Sequence, residues 1–309
     1  MAKKKEKNVA DYIVPLEMNG LQGRMLRLPA PKNKNREILF VYGHHSSLER
    51  WWGVVQDLNQ YGAITMPDLP GFGGMDSLYK IGEKPDLDTL ADYLASFIKL
   101  RYKRRRFSIA GLSFGFLVVT RMLQRYPEIA KRVDMLVSVV GFSHYQDFVF
   151  SAPQKLLLRT TSKFLTYRLP AILFKSILLH PWVLRATYAK TYNAREKFKS
   201  VQRDRHKEIM DFEIYLWHSN DVRTHWATGY EMLVVDNCKW RVDLPVYHVS
   251  VKADRYFDNH VVEQHLRVIF NDFREYKSRM DSHAPSVIGD MKTAAPLFPK
   301  ALRKMLEQE

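Results

Sequence analysis

Three residues of the types needed for nucleophilic catalysis follow one another along the chain. Ser113 lies inside a Gly-x-Ser-x-Gly motif. Asp254 directly follows an apolar run, and His283 comes twenty-nine residues later. A serine hydroxyl is a weak nucleophile, so it needs a base that takes its proton and a third group that orients the base. A serine, an acid and a histidine in this order therefore indicate attack by a serine on an electrophilic carbon.

The glycines of the motif indicate a sharp turn from a strand into a helix. Gly111 and Gly115 flank Ser113 two positions away on either side, where such a turn leaves room only for small residues. The serine hydroxyl then projects above the carboxyl ends of the strands, at a helix N-terminus that favours developing negative charge. The alternative is a glycine-rich turn that has no catalytic role. The position of the motif between a strand and a helix, and the presence of Asp254 and His283 downstream, disfavour this alternative.

Short apolar runs alternate with helical patterns along much of the chain. Unbroken runs of this length suit strands buried on both faces of a parallel sheet, and the helical patterns suit the crossovers between them. Asn19-Gly20 additionally indicates a hairpin before the first run. The strand-like runs are 38–42, 63–66, 107–110, 135–140, 244–251 and 273–277, and the helical patterns are 51–60, 87–100, 114–126, 261–270 and 299–309. The sequence therefore predicts an α/β fold with a mostly parallel central sheet flanked by helices.

The alternation stops near Phe142 and resumes at Leu244, and the hundred residues between them look helical. We interpret this stretch as a cap inserted into an α/β core, with helices broken at Pro170 and Pro181. The predicted domains are 1–142 for the first part of the core, 143–242 for the helical cap and 243–309 for the second part of the core. Residues 1–10 form a basic tail within the first part.

With this order of strands and motifs, the sequence resembles the serine branch of the α/β-hydrolase fold superfamily, over roughly residues 36–142 and 243–308. The resemblance implies that Ser113 is the nucleophile, His283 the base and Asp254 the acid that orients it. It also implies an oxyanion hole formed by the backbone N–H groups of His44 and Phe114.

Two alternatives for the acid stay open, namely Asp258, four residues after Asp254, and Asp147, after an earlier strand. Asp68 begins an Asp-x-x-Gly-x-Gly turn that many capped family members carry, and we expect it to be structural. The sequence departs from the family at Tyr42, where a histidine is usual, and at Phe116, where a small residue often follows the motif. Neither departure is expected to inactivate the site.

Positive charge is concentrated in the predicted cap. The chain carries 48 Lys+Arg and 33 Asp+Glu for a net charge of +15, and residues 151–207 alone hold thirteen basic and two acidic residues. Lys155, Arg159 and Lys163 recur every four residues and therefore share one helix face. Such a segment can lie on an anionic membrane. The alternative, which we prefer at this stage, is a cap whose leucines face the site and whose lysines face water. Both predict an apolar roof over the serine, which suits a hydrophobic ester or acyl substrate.

Composition excludes several other classes. The single cysteine, Cys238, rules out a disulfide framework within the chain, and the ten histidines other than His283 show no metal-ligand spacing, so the sequence predicts no metal and no cofactor. The basic run 101–106 is expected on the face opposite Ser113, and without a nucleic-acid module we expect no nucleic-acid partner. With neither a secretory signal nor a run of about 18 apolar residues, we predict a cytoplasmic protein, with peripheral contact at an anionic membrane left open. Oligomeric state is not predicted.

These observations favour a serine hydrolase of the esterase or lipase type, acting on a carboxylic ester or thioester through an acyl-enzyme on Ser113. One alternative is a catalytically idle hydrolase fold that binds a membrane or a partner. Another is a C–C hydrolase or acyltransferase that uses the same three residues.

Overall fold

Eight strands form one sheet at the centre of the molecule. The computed structural model describes residues 8–190, 205–252, 254–280, 283 and 290–308. The strand order is β1-β2-β4-β3-β5-β6-β7-β8, with β3 to β8 parallel to one another and β1 and β2 antiparallel at one edge. The strands are β1 (Ile13–Met18), β2 (Leu21–Leu28), β3 (Glu37–Val41), β4 (Ala63–Pro67), β5 (Phe107–Leu112), β6 (Val133–Val139), β7 (Val242–Ser250) and β8 (Phe270–Lys277). This confirms the predicted α/β fold with a mostly parallel sheet.

Helices flank the sheet and fill the interval between β6 and β7. Asp86 caps the longest of them, α2, by accepting a 2.8 Å hydrogen bond from the Thr89 N–H. Within the described ranges the helices are α1 (Trp52–Asn59), α2 (Leu87–Tyr102), α3 (Phe114–Arg125), α4 (Pro127–Ala130), α5 (Ala152–Leu165), α6 (Arg168–Leu173), α7 (Pro181–Lys190), α8 (His206–Ser219), α9 (Val222–Met232), α10 (Asn259–Ile269), α11 (Met291–Ala294) and α12 (Lys300–Glu307). A single π-helical segment, Phe174–Leu178, follows α6 directly.

The predicted hairpin joins β1 and β2 through Asn19 and Gly20, whose φ angles are 54° and 77°. Both residues therefore take the left-handed conformation that a two-residue hairpin turn needs. At the centre of the sheet, all six residues of β5 are buried, as expected for a strand covered on both faces. Its carboxyl end at Leu112 places Ser113 at the edge of the sheet where α3 begins.

The described part of the insertion between β6 and β7 is mainly helical from α5 to α9, with mostly irregular chain before α5 and after α9, and its division into a separate cap stays a prediction. Residues 191–204, which hold part of the basic stretch 151–207, lie outside the described residues. The predicted helix break at Pro181 is confirmed, whereas the break predicted at Pro170 lies at residues 166–167, before α6. Pro170 lies in the first turn of α6 and Pro181 begins α7, because a missing N–H is harmless in the first turn of a helix.

Among the described residues, no single helix is long and apolar enough to cross a membrane. The adjoining segments Arg168–Leu178 and Pro181–Tyr188 meet the length and composition criteria only when taken together, and they are bent by 73° relative to each other.

The basic run 101–106 lies at the amino ends of the strands, as predicted. Arg105 pairs with Glu37 at 2.8 Å, and Glu37 is the first residue of β3. Arg106 pairs with Asp134 at the start of β6. The run therefore lies on the face opposite Ser113, and acidic partners compensate part of its charge.

Candidate active site

Ser113 occupies a tight turn that only its glycine neighbours permit. Its φ of 50° and ψ of −117° lie outside the usual regions for a residue with a side chain, and its N–H donates to the Val139 carbonyl of β6 at 2.9 Å. A Cβ on Gly111 would lie 2.7 Å from the Cα of Phe116. A Cβ on Gly115 would lie 2.3 Å from the Tyr42 carbonyl oxygen. The turn therefore closes as the motif predicts, with the serine at the N-terminus of α3.

The structure brings Ser113, His283 and Asp254 into one hydrogen-bonded chain. The Ser113 Oγ lies 3.1 Å from His283 Nε2, and His283 Nδ1 lies 2.7 Å from Asp254 Oδ2. An ionised Asp254 accepts hydrogen bonds only, so the imidazole proton lies on Nδ1 and leaves Nε2 free to accept from the serine. The other oxygen of Asp254 accepts from the backbone N–H of Tyr256 at 2.8 Å. Asp254 is therefore fixed on both oxygens.

Two aromatic residues that sequence analysis did not single out hold the imidazole in place. The ring of Tyr256 meets the His283 ring edge-on at 5.0 Å, and the ring of Phe257 lies 5.4 Å from it. Both follow Asp254 in the turn after β7, and that adjacency was the available signal. Packing of this kind restricts rotation of the histidine and keeps Nε2 directed at Ser113.

The other candidate acids are engaged elsewhere. Asp147 is fully buried and lies 2.5 Å from His265 Nδ1, and it also accepts from two backbone N–H groups. Asp258 caps α10 by accepting from the His260 N–H at 2.9 Å. Asp68 accepts from the Tyr42 hydroxyl at 2.7 Å and pairs with Arg24 at 3.2 Å. Tyr42 thus takes a structural role in place of the usual histidine.

The pair of Asp147 and His265 forms a second acid–histidine contact with a predicted effect on stability. The hydrogen bond to Asp147 raises the pKa of His265, while desolvation lowers the pKa of His144, whose ring lies 4.3 Å away. The two opposite shifts favour a proton on His265 over one on His144. When a histidine has a higher pKa in the folded state than in the unfolded chain, its protonation stabilises the folded state. This stabilisation is fully present at pH values below the pKa of the histidine in the unfolded chain.

We expect His265→Gln to cost more stability near pH 5.5 than near pH 8.5. The stabilisation by charged His265 is complete below about pH 6.5, the ordinary histidine pKa, and is lost as pH rises through the raised folded pKa. Glutamine can still donate to Asp147, so the variant removes the charge and keeps the hydrogen bond. Urea unfolding of both proteins at the two pH values measures the difference, and an equal cost at both would contradict it.

The loop that carries His44 packs beside the turn that carries Ser113 and Phe114. The rings of His44 and Phe114 lie 5.5 Å apart, and a Cβ on Gly43 would lie 3.4 Å from the Ser113 Cβ. Among the described residues, neither the His44 nor the Phe114 N–H donates a hydrogen bond to another protein group. For Phe114 this follows from its place in the first turn of α3. Both N–H groups are thus left without a protein acceptor in the described part of the chain, and their role as oxyanion donors stays a prediction.

The side chain of His44 is neutral. Desolvation lowers its pKa to about 4, and its Nε2 lies 2.9 Å from the Thr228 Oγ1 and 3.0 Å from the His225 carbonyl oxygen. A neutral imidazole that donates to these acceptors fixes the loop after β3 against α9. The position of the backbone N–H of His44 is therefore set by contacts to the helical insertion.

Aromatic rings from the insertion cover the loop that carries His44 and His45. Trp217 lies 4.2 Å from the His45 ring, and His225 lies 4.4 Å from the His44 ring. Beyond them, Trp226 packs 5.3 Å from His225. The structure brings Trp217, His225 and Trp226 to this roof, whereas His218 is exposed.

From the sequence we expect the leucines of the cap to face the site. For α5, the first helix of the insertion, this prediction is wrong for most of the large apolar side chains. Leu156, Leu157 and Phe164 are exposed, while Leu158 is half-buried and Leu165 is buried. The helix has apolar residues on two sides, and only one of them can pack inward.

Comparison with known proteins places this geometry in context. The sequence profile described as alpha/beta hydrolase fold matches residues 37–265. None of the curated protein sequences compared with the chain is a detectable relative. Solved structures similar to it include an enol-lactonase from Burkholderia xenovorans LB400, with 12% identity, 96% of this chain and 100% of that chain covered, and a TM-score of 0.66.

Two further structures give the same picture. An esterase from Exiguobacterium antarcticum is 13% identical over 94% of this chain and 97% of its own, with a TM-score of 0.66. A bromoperoxidase from Bacillus anthracis is 13% identical over 93% of this chain and 96% of its own, with a TM-score of 0.65. At these identities the likeness is one of fold.

Proposed function

This chain belongs to the α/β-hydrolase fold family, as the sequence indicated, and on that premise we propose that it is a serine hydrolase. Its substrate in this proposal is a carboxylic ester or thioester with a hydrophobic acyl group. The observation that carries the proposal is the hydrogen-bonded chain from the Ser113 hydroxyl through His283 to Asp254. A serine activated in this way performs acyl transfer in unrelated folds, so the geometry is more informative than the fold.

The first half of the reaction forms an acyl-enzyme. The Ser113 Oγ attacks the carbonyl carbon while His283 Nε2 takes the hydroxyl proton, and Asp254 stabilises the resulting imidazolium. The carbonyl oxygen becomes an oxyanion that accepts from the N–H groups of His44 and Phe114. When the bond from the carbonyl carbon to the leaving oxygen or sulfur breaks, His283 returns the proton to the leaving group.

Water completes the cycle by the same route. His283 takes a proton from a water molecule that attacks the acyl carbon, and the bond to the Ser113 Oγ breaks as the proton returns to that oxygen. The products are the free acid and the regenerated enzyme. Each half-reaction starts from the neutral imidazole, and the hydrogen bond of Nδ1 to Asp254 selects the tautomer in which Nε2 can accept the proton.

The roof supports a hydrophobic acyl group as the preferred substrate feature. Trp217 and Trp226 lie above the loop that carries the proposed oxyanion donor, and apolar linings of this kind retain apolar ligands. The neighbours named as an esterase and an enol-lactonase agree with ester chemistry.

A fluorophosphonate probe tests the proposed nucleophile. We expect it to label the wild-type protein and not Ser113→Ala, because only an activated serine hydroxyl reacts with it. Ser138→Ala is the matched control. Ser138 also contacts a histidine, with its Oγ 2.9 Å from His248 Nδ1, but both side chains are buried. This variant should be labelled like the wild type. An unlabelled wild type, or labelling that persists in Ser113→Ala, would contradict the proposal.

A further inference from the structure

Exposed apolar side chains are concentrated in the first half of the helical insertion. Isolated exposed hydrophobic residues are normal, but clusters of them mark interaction sites. Of the eighteen large hydrophobic side chains that are exposed in the described part of the chain, ten lie between residues 156 and 182. We call these ten the apolar face: Leu156, Leu157, Phe164, Tyr167, Leu169, Ile172, Leu173, Ile177, Leu178 and Trp182.

The apolar face is rigidly mounted on the protein. The opposite sides of α6, the π-helical segment and α7 form a small core, in which Ala171, Leu179 and Leu184 are buried with Val222 of α9. Phe174 extends this core and lies 5.4 Å from Trp226 of the roof. The seven residues of the apolar face from Tyr167 onward therefore cannot turn inward without exposing this core.

The segment that carries the apolar face has basic but no acidic residues. Residues 148–190 contain seven Lys or Arg and no Asp or Glu. Arg185 pairs with Asp211 at 2.9 Å. Within the described ranges, no carboxylate lies at ion-pair distance from the other basic side chains between residues 155 and 175, which are Lys155, Arg159, Lys163, Arg168 and Lys175. This contrasts with the run 101–106, where acidic residues pair with the arginines.

We propose that the apolar face docks the protein on an anionic membrane surface. Its leucines and Trp182 would enter the boundary between headgroups and acyl chains, and the basic side chains around them would contact anionic headgroups. The bend of 73° between Arg168–Leu178 and Pro181–Tyr188, together with the buried inner side of both segments, suits an element that lies on a bilayer rather than crosses it.

The charge around the apolar face distinguishes between two possible partners, a second copy of the chain and an anionic bilayer. A second copy of the chain seated on the same face would bring two surfaces of like charge together, because no acidic residue lies within 148–190. An anionic bilayer matches both the charge and the apolar character. The inference goes beyond the proposed function, since docking needs no reaction and can be measured in an inactive variant.

Vesicle flotation in the Ser113→Ala background tests the proposal. We expect binding to vesicles of phosphatidylcholine with about 30% phosphatidylglycerol, weaker binding to pure phosphatidylcholine, and loss of the difference in high salt. Removing two charges with Arg159→Gln and Lys163→Gln should lower the partition coefficient by about fivefold for each charge. No detectable binding to the anionic vesicles would overturn the proposal.

Matched substitutions locate the contact. We expect Leu169→Gln and Trp182→Gln each to lower partitioning by about tenfold, since these side chains would leave water on docking. The controls are Leu100→Gln and Trp240→Gln, because both side chains are exposed outside the apolar face. Leu100 is 65% exposed, compared with 74% for Leu169, and Trp240 is 52% exposed, compared with 66% for Trp182. Equal losses in test and control variants would overturn the proposal. So would a dimer that the test variants dissociate while vesicle binding stays unchanged.

Discussion

Asp254→Asn is expected to lower kcat by about 10⁴-fold while leaving the protein folded. An asparagine can hold the imidazole in place, but its amide stabilises the wrong tautomer and no charged partner remains for the imidazolium. One oxygen of Asp254 accepts a hydrogen bond from the Tyr256 N–H. The carbonyl oxygen of an asparagine can accept the same bond, so we expect the substitution to leave the fold intact. Rates with activated esters of short and long acyl chains measure the effect.

Asp147→Asn is the matched control for this prediction. Asp147 is equally an aspartate in contact with a histidine, but that histidine is His265, and Ser113 is not part of the pair. We expect the variant to lose stability and to keep kcat. A loss of kcat at Asp147 comparable with that at Asp254 would contradict the assignment of Asp254 as the acid, as would an Asp254→Asn enzyme with full activity.

Gly115→Ala is expected to lower the free energy of unfolding by about 3 kcal/mol or more. The added Cβ would lie 2.3 Å from the carbonyl oxygens of both Val41 and Tyr42. Both contacts are with backbone, so α3 must move away from the end of β3 to relieve them. Such a shift would also separate the Phe114 N–H from the His44 N–H, and residual folded protein should be poorly active.

Gly229→Ala provides the comparison. Gly229 lies within α9, and a Cβ there would meet only the Ser162 Oγ at 3.6 Å. Because glycine is unfavourable inside a helix, this substitution should stabilise the protein by about 0.5–1 kcal/mol. Denaturant unfolding of both variants measures the contrast, and a Gly115→Ala protein as stable as the wild type would contradict the steric argument.

The positions of the strands and of Ser113, Asp254 and His283 follow from local sequence signals. A strand buried on both faces consists of consecutive apolar residues, and the turn around Ser113 needs glycine on both sides. The alternatives for the acid could not be separated in this way. Asp147, Asp254 and Asp258 all lie near strand ends or helix starts, and only the packing of His265 and His283 shows which acid meets which histidine.

The helical insertion was less predictable, because periodicity defines the sides of a helix but not which side packs inward. In α5, both Leu157 and Leu158 belong to apolar sides, and contacts with α9 decide that the second is covered. Phe116 is a similar case at the core. A small residue often stands at this position in the family, but here Gly141 leaves space for the larger ring, since a Cβ on it would lie 2.4 Å from the Phe116 ring.

The left-handed backbone of Ser113 places selection for stability and selection for activity in conflict at this residue. A side chain at φ 50° costs about 1–2 kcal/mol relative to glycine, and the rest of the fold must offset this penalty permanently. Selection for a more robust protein alone would replace the serine with glycine. Selection for turnover would keep a hydroxyl at a position where the backbone favours glycine.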